Sequence, residues 1–244
     1  MPPATPPLDG PVVGVDGCRA GWIAATAELR NGRITVTDLR VHDDLSGLLD
    51  ALSSQALLRM AIDIPIGLSD HASRMADTVT RRALGARRSS VFSAPVRAAL
   101  DAPDHPIAVE RSRAACGVGL SVQSWNLVPK IREADEAIRS LHPHQRDRVF
   151  ETHPELCFAV LDGAPMRHPK RTLAGRRERL RVLHRSIEPG WTRPQRTPSG
   201  ARGDDVLDAL VLAVRATQWG SIGPEPVAFG DEIDRFGLRM RIHG

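Results

Sequence analysis

The chain has 244 residues, 41% of them hydrophobic and 25% charged, with a net charge of +4. That is enough apolar material for one full core, and it excludes a disordered protein. No window reaches the roughly 18 apolar residues needed to span a bilayer, and MPPATPPLDG has neither a basic nor an apolar leader region, so the expectation is a cytoplasmic protein. Cys18, Cys116 and Cys157 are odd in number and far apart, which argues against a disulfide framework and a Cys-x-x-Cys zinc site.

Residues 1–11 read as a disordered Pro-rich tail, followed by a single domain over 12–244. VVGVDG, GWIAATAEL and RITVTDLRV follow one another as strands, the last two joined by the turn Asn31-Gly32, and predict an antiparallel meander. In DDLSGLLDALSSQ, Asp43 and Asp44 start a helix with Leu45, Leu48, Leu49 and Leu52 at helical spacing. LLRMAIDIPIGL is a nearly all-apolar strand, as in the parallel part of a sheet buried on both faces. Strand, strand, strand, helix, strand is a mixed α/β plan.

Residues 69–148 turn Arg- and Ala-rich and predict a largely helical insertion. The strand signal returns at VFETHPELCFAVLDG, and GRRERLRVLHRSI spaces Leu180, Leu183 and Ile187 along one face of a basic amphipathic helix. PGWTRPQRTPSGARG is a turn-rich linker, Asp204 is placed to N-cap the apolar helix that follows, and PVAFGDEIDRFGLRMRI resembles a short hairpin.

Carboxylates are costly to bury unless paired, hydrogen-bonded or bound to metal. Asp16 and Asp63 nevertheless stand in or at the end of apolar strand-like runs, and Asp204, Asp205 and Asp208 open the apolar helix near the C-terminus. One acidic cluster holding divalent cations is the simplest common explanation. Asp16-Gly17 also suits a turn, and Asp204 and Asp205 also suit a cap and a first-turn acid. Asp63 and Asp208 have no such use, and the i, i+3 spacing puts Asp205 and Asp208 on one helix face.

Glu151, His153 and Glu155 share one face if the strand runs through them, as a metal edge, a substrate contact or a solvated face. Arg87, Arg88, Ser89 and Ser90 combine guanidinium forks and hydroxyls that suit a phosphate, as an exposed loop also would. Only two of the 33 Lys and Arg residues are lysines, Lys130 and Lys170, and both follow a proline. A compact ammonium differs from a guanidinium fork as a phosphate ligand, so each is a candidate. From Arg167 to Arg185 eight basic residues face the single acid Glu178, either a polyanion surface or a solvated helix face. Tyrosine is absent and nine residues are Phe or Trp, which argues against a stacking platform for single-stranded bases.

VDGCRAGW, AIDIPIGL, LGARRSSVFSAPVRAAL, GLSVQSWNLVPKIREAD, FETHPE and DDVLDAL, in this order, resemble the motif series of a domain-of-unknown-function family usually described as predicted RNase H-like nucleases. The resemblance covers about residues 12–242 and implies the ribonuclease H-like fold: three antiparallel strands, then parallel strands, flanked by helices. It also implies an Mg²⁺- or Mn²⁺-dependent, two-metal phosphodiester hydrolase acting on nucleic acid. Asp16 would bridge, Asp63 and Asp208 would each bind one ion, and Asp205 or Glu151 would be accessory. Arg19, Arg87, Arg88, Ser89, Lys130, His153 and Lys170 would hold phosphates or the leaving group. An RNase H-fold phosphotransferase or nucleotide-binding protein, and a catalytically silent nucleic-acid-binding module, stay open as alternatives.

Overall fold

A computed structural model describes residues 10–30, 32–188, 190–191, 197–218 and 228–244. Most of the expected N-terminal tail, Asn31 of the expected turn and the middle of the expected linker lie outside the described residues. Pro11, counted with that tail, is tied down: its carbonyl accepts from the Leu58 amide at 2.8 Å.

The expected meander is present as β1 (Val12–Cys18), β2 (Gly21–Arg30) and β3 (Arg33–His42). Only Arg19 and Ala20 separate β1 from β2, and Gly21 makes the turn at φ 143°, where an added Cβ would lie 2.1 Å from the His42 carbonyl oxygen. Helix α1 (Ser46–Ser53) starts later than Asp43/Asp44, although Asp44 still accepts from the Ser46 amide at 2.9 Å. Strand β4 (Arg59–Ile62) is followed directly by Asp63. β4 and β5 (Val149–Glu151) add in parallel to give one five-stranded sheet in the order β3-β2-β1-β4-β5.

Residues 69–148 carry α2 (Met75–Leu84), α3 (His105–Cys116), α4 (Val122–Ser140) and α5 (Pro143–Arg146). The strand expected over 149–163 is corrected. After Glu151 the chain turns at Thr152 and His153 into helix α6 (Pro154–Asp162), started by a proline at its first turn and ended at Gly163. Helices α7 (Leu173–Leu183) and α8 (Gly203–Gln218) and the hairpin β6 (Ala228–Ile233) and β7 (Arg239–His243) complete the chain. Because α8 begins at Gly203, Asp204 sits inside the first turn rather than at the expected cap. Among the described residues no helix is long and apolar enough to cross a membrane.

Strand alternation splits the core into two layers. Val13, Val15, Met60 and Ile62 face α1 and α4, whereas Val12, Ile23 and Ala61 face α6, α7 and α8. Gly14 belongs to the second face, where a Cβ would stand 2.1 Å from the Ala213 amide nitrogen and 2.3 Å from the Ala209 carbonyl oxygen. The backbone of α8 therefore lies directly on β1.

Candidate active site

Parity places the acids. Asp16 follows Gly14 by two residues and faces α8, and Asp63 follows Ala61 by two and shares that face. The parallel register pairs Val15 with Ile62, and the Asp63 amide donates to the Val15 carbonyl at 3.0 Å, so the two carboxylates sit on neighbouring strands. Helix α8 brings Asp208, 1% exposed, and Asp205, whose carboxylate accepts from the Arg202 amide at 2.8 Å. From α6 comes Glu155, 5% exposed, with one oxygen bonded to Arg179.

Lys170 enters this acidic ground from the loop before α7 and donates to Asp208 Oδ2 through a short bond. Two carboxylate oxygens remain buried and unpartnered, Asp208 Oδ1 and Glu155 Oε2, as does His153 Nδ1. Among the described residues, no three acidic, imidazole or thiol groups already stand together as a ready-formed metal site. The cation now in place is an ammonium.

Electrostatics follow from this crowding. Burial raises Asp16 well above the usual carboxylate range, and Asp208 and Asp63 push it further. Burial likewise raises Asp63, against the pull of His153 and Lys170. Asp208 is pushed up to about 6 by burial, with Lys170 opposing. Burial works to lower Lys170, but Asp208, Asp16 and Asp63 together hold it above an ordinary lysine. Carboxyls whose folded pKa lies above the unfolded value bind more protons in the native state, so their burial is least unfavourable when protonated. The metal-free protein is therefore expected to gain stability, by roughly 5 °C in Tm, as pH falls through about 6 towards the ordinary carboxylate range near 4. Differential scanning fluorimetry in a chelator checks this; a Tm that falls steadily from pH 7 to pH 5 would contradict the crowding.

The other expected site residues divide. Register pairs Glu151 with Ile62, so its carboxylate leaves the sheet on the opposite face from Asp16 and Asp63, although it lines the same cleft. There it accepts from the Ile66 amide at 2.8 Å and from Arg74 at 2.6 Å, and burial raises it to about 8 against the pull of Arg74. This pair braces the 63–66 segment behind Asp63. Arg87 donates to the carbonyls of Met166 and Arg167 at 2.9 and 2.8 Å, holding the loop that carries Lys170. Lys130 donates to the Gly21 carbonyl at 2.6 Å and lies over the Trp22 ring. Ser89 lines the cleft; Arg88 and Arg19 are exposed and do not.

The basic run from Arg167 to Arg185 is not one solvated face. Arg179 is fully buried on Glu155, Lys170 is on Asp208, and Arg181 and Arg185 pair with Asp162. Sequence reasoning missed Arg74 and Arg179 as buried partners of acids. A lone arginine in an Arg-rich chain carries no mark of burial.

Asp16, Asp63, Asp205 and Glu155 line one cleft of about 690 Å³, whereas Asp208 is buried and is not part of its lining. Its polar floor includes Asp16, Asp63, Asp205, Glu155 and Lys170, and its walls include Ile64, Pro65, Val91, Phe92, Leu127 and Ile131. Residues 14–231, which hold all of these groups, match a family model described as "Protein of unknown function (DUF429)". The chain belongs to this family. The DUF429 match spans the sheet, the insertion and α8, so the acids of the cleft all come from the family's own segment. No curated protein matches the chain.

Proposed function

We propose that this DUF429 chain is a metal-dependent phosphodiester hydrolase of ribonuclease H-like fold that acts on nucleic acid. The observation that supports this reading best is the convergence of Asp16 from β1, Asp63 from the end of β4 and Asp208 from α8 on one side of the sheet, with Asp208 Oδ1 buried and unpartnered. The donor set is all carboxylate oxygen, which fits a hard cation such as Mg²⁺ or Mn²⁺. Asp16, Asp63 and Asp208 would hold it, with Asp205 as the accessory ligand. Bound there, the metal supplies activation of a water and stabilisation of the leaving oxygen.

The chain's own groups do the rest. Lys170 keeps an ammonium on the acids in the metal-free protein and can pair with a phosphate oxygen once Asp208 has another counter-charge. His153 is anchored through Nε2 at 3.2 Å from the Ser90 carbonyl oxygen, with Nδ1 buried and without a hydrogen-bond partner near Asp63. The walls of Ile64, Pro65, Leu127 and Ile131 limit water around the reacting phosphate.

One observation favours a second reading: Lys170 already neutralises the acids, as it would in a silent binding module. Isothermal titration with Mn²⁺ and with ATP, beside a cleavage panel of single-stranded, duplex, hybrid and branched substrates, separates the readings. Mn²⁺ binding without ATP binding, together with Mn²⁺-dependent cleavage that a chelator stops, is expected. ATP binding would instead favour the phosphotransferase reading, and binding of neither would favour the silent module.

A further inference from the structure

Phe92 is the only Phe or Trp in the exposed class among the described residues, at 41% exposure, and it lines the acidic cleft. Its surroundings are fixed. Arg81 donates to the Val91 carbonyl at 3.0 Å and to Ser93 Oγ at 2.8 Å, and buried Asp77 accepts from the Ala94 amide at 2.8 Å. The backbone on both sides of Phe92 is thus pinned while the ring stays in solvent. An uncovered ring on a fixed backbone has only its side-chain torsions left to lose and gains by covering its face. Beside it the lining mixes Val91 and Ala94 with Ser89, Ser90 and Ser93, and among the described residues no Asn or Gln lines the cleft, so the site offers a stacking surface without amide side chains to read base edges. The cleft volume is that of a site enclosing one small-molecule-sized group.

We propose that Phe92 stacks on the unpaired base of a nucleotide whose phosphodiester lies over Asp16, Asp63 and Asp208, so that the substrate is single-stranded where it is cut. This rests on the phosphodiesterase reading of the site and narrows it. One ring is no platform for a run of bases, consistent with the aromatic-poor composition, but it suffices for a single base. A base inside a duplex presents its faces to its neighbours and is closed to such a contact. The ligand chemistry is an unpaired nucleotide joined through a phosphodiester, supplied either by a polymer strand or by a dinucleotide.

The test is fluorescence anisotropy with Ca²⁺, comparing wild type, Phe92→Ala and Phe92→Trp on a labelled single strand, the same strand made abasic throughout, and a duplex. Phe92→Ala is expected to weaken the single-strand complex about tenfold, from the stacking of one base. Phe92→Trp is expected to hold or tighten it, and the abasic strand is expected to bind all three proteins alike. Competition by an unlabelled dinucleotide as strong as that by the strand assigns the small ligand, and weak competition assigns the polymer. Equal affinity of wild type and Phe92→Ala for the normal strand, or an equal loss on the abasic strand, overturns the role of Phe92 while leaving the phosphodiesterase reading intact. Failure of wild type to bind or cleave any of these nucleic acids overturns both.

Discussion

Replacing Asp16 by Asn is expected to lower metal-dependent cleavage by about 10³-fold or more while making the metal-free protein more heat-stable than wild type. The two effects have one origin. Asp16 is buried, and Asp208, Asp63 and Asp205 all add to its unfavourable ionisation, with Lys170 opposing them. Asn keeps the shape and removes the charge, so the repulsion falls and Tm is expected to rise by about 2–4 °C, the response to roughly 1 kcal/mol in a chain of this size. The same change removes a hard oxygen ligand. Metal catalysis contributes several kcal/mol to a phosphoryl transition state, and each 1.4 kcal/mol is tenfold in rate, which gives the expected loss.

Mn²⁺ is expected to raise the Tm of wild type, since it binds only the folded cluster, and to leave Asp16→Asn unmoved. Thermal scans with and without Mn²⁺, beside initial cleavage rates, measure both. An Asp16→Asn protein that is less stable without metal and shifts with Mn²⁺ as wild type does would show that Asp16 is a structural acid, and the metal reading would fall with it.

Much of the sheet is legible in the sequence because period and composition agree. The alternation in RITVTDLRV, the apolar run MAI before Asp63 and the apolar helix from Val206 onward all appear as expected, at β3, β4 and α8. The convergence of Asp16 and Asp63 also follows from parity once β1 and β4 are paired Val15 to Ile62. That pairing is not in the sequence, because period 2 says which residues share a face and not how two strands are registered. Glu151 shows the consequence: its own alternation with His153 and Glu155 suggests a common strand face, but the register with Ile62 sends it off the sheet on the other side from Asp63 and the strand ends at Glu151, so the three residues meet only as lining of the same cleft.

Charge was the least legible feature. Lys170, Arg87 and Arg179 stand in stretches that look solvated, and each points inward to a group 38, 79 or 24 residues away along the chain. Long-range pairing of this kind leaves no local pattern. Phe92 was open to the same sequence reading as any aromatic in a serine-rich loop, and its exposure is what distinguishes it.

Gly14→Ala is expected to be strongly destabilising for a change of one methyl group. No unusual backbone angle is at issue, since Gly14 is in regular strand conformation; the constraint is the approach of α8. A Cβ at this position would meet the Ala213 nitrogen at 2.1 Å, the Ala209 oxygen at 2.3 Å and the Leu212 carbonyl carbon at 2.7 Å. These are backbone atoms of one helix and cannot rotate away as a side-chain tip would, so α8 must lift from β1 as a unit. Overpacking a tight core typically costs 1–3 kcal/mol and occasionally more, and a backbone-on-backbone clash belongs at the upper end, about 3 kcal/mol, or roughly 10 °C in Tm.

The lift also has a direction. β1 carries Asp16 and α8 carries Asp205 and Asp208, so any separation pulls the acidic centre apart along with the core. The folded fraction of Gly14→Ala is accordingly expected to bind Mn²⁺ at least tenfold more weakly than wild type by isothermal titration, although no ligand has been changed. Gly47→Ala in α1 is the matching control: nothing lies within 4 Å of its added Cβ, and exchanging an exposed helical glycine for alanine is expected to stabilise by about 0.5–1 kcal/mol. If Gly14→Ala melts within about a degree of wild type, α8 does not rest on β1, and the approach that brings Asp208 to Asp16 is not the one described.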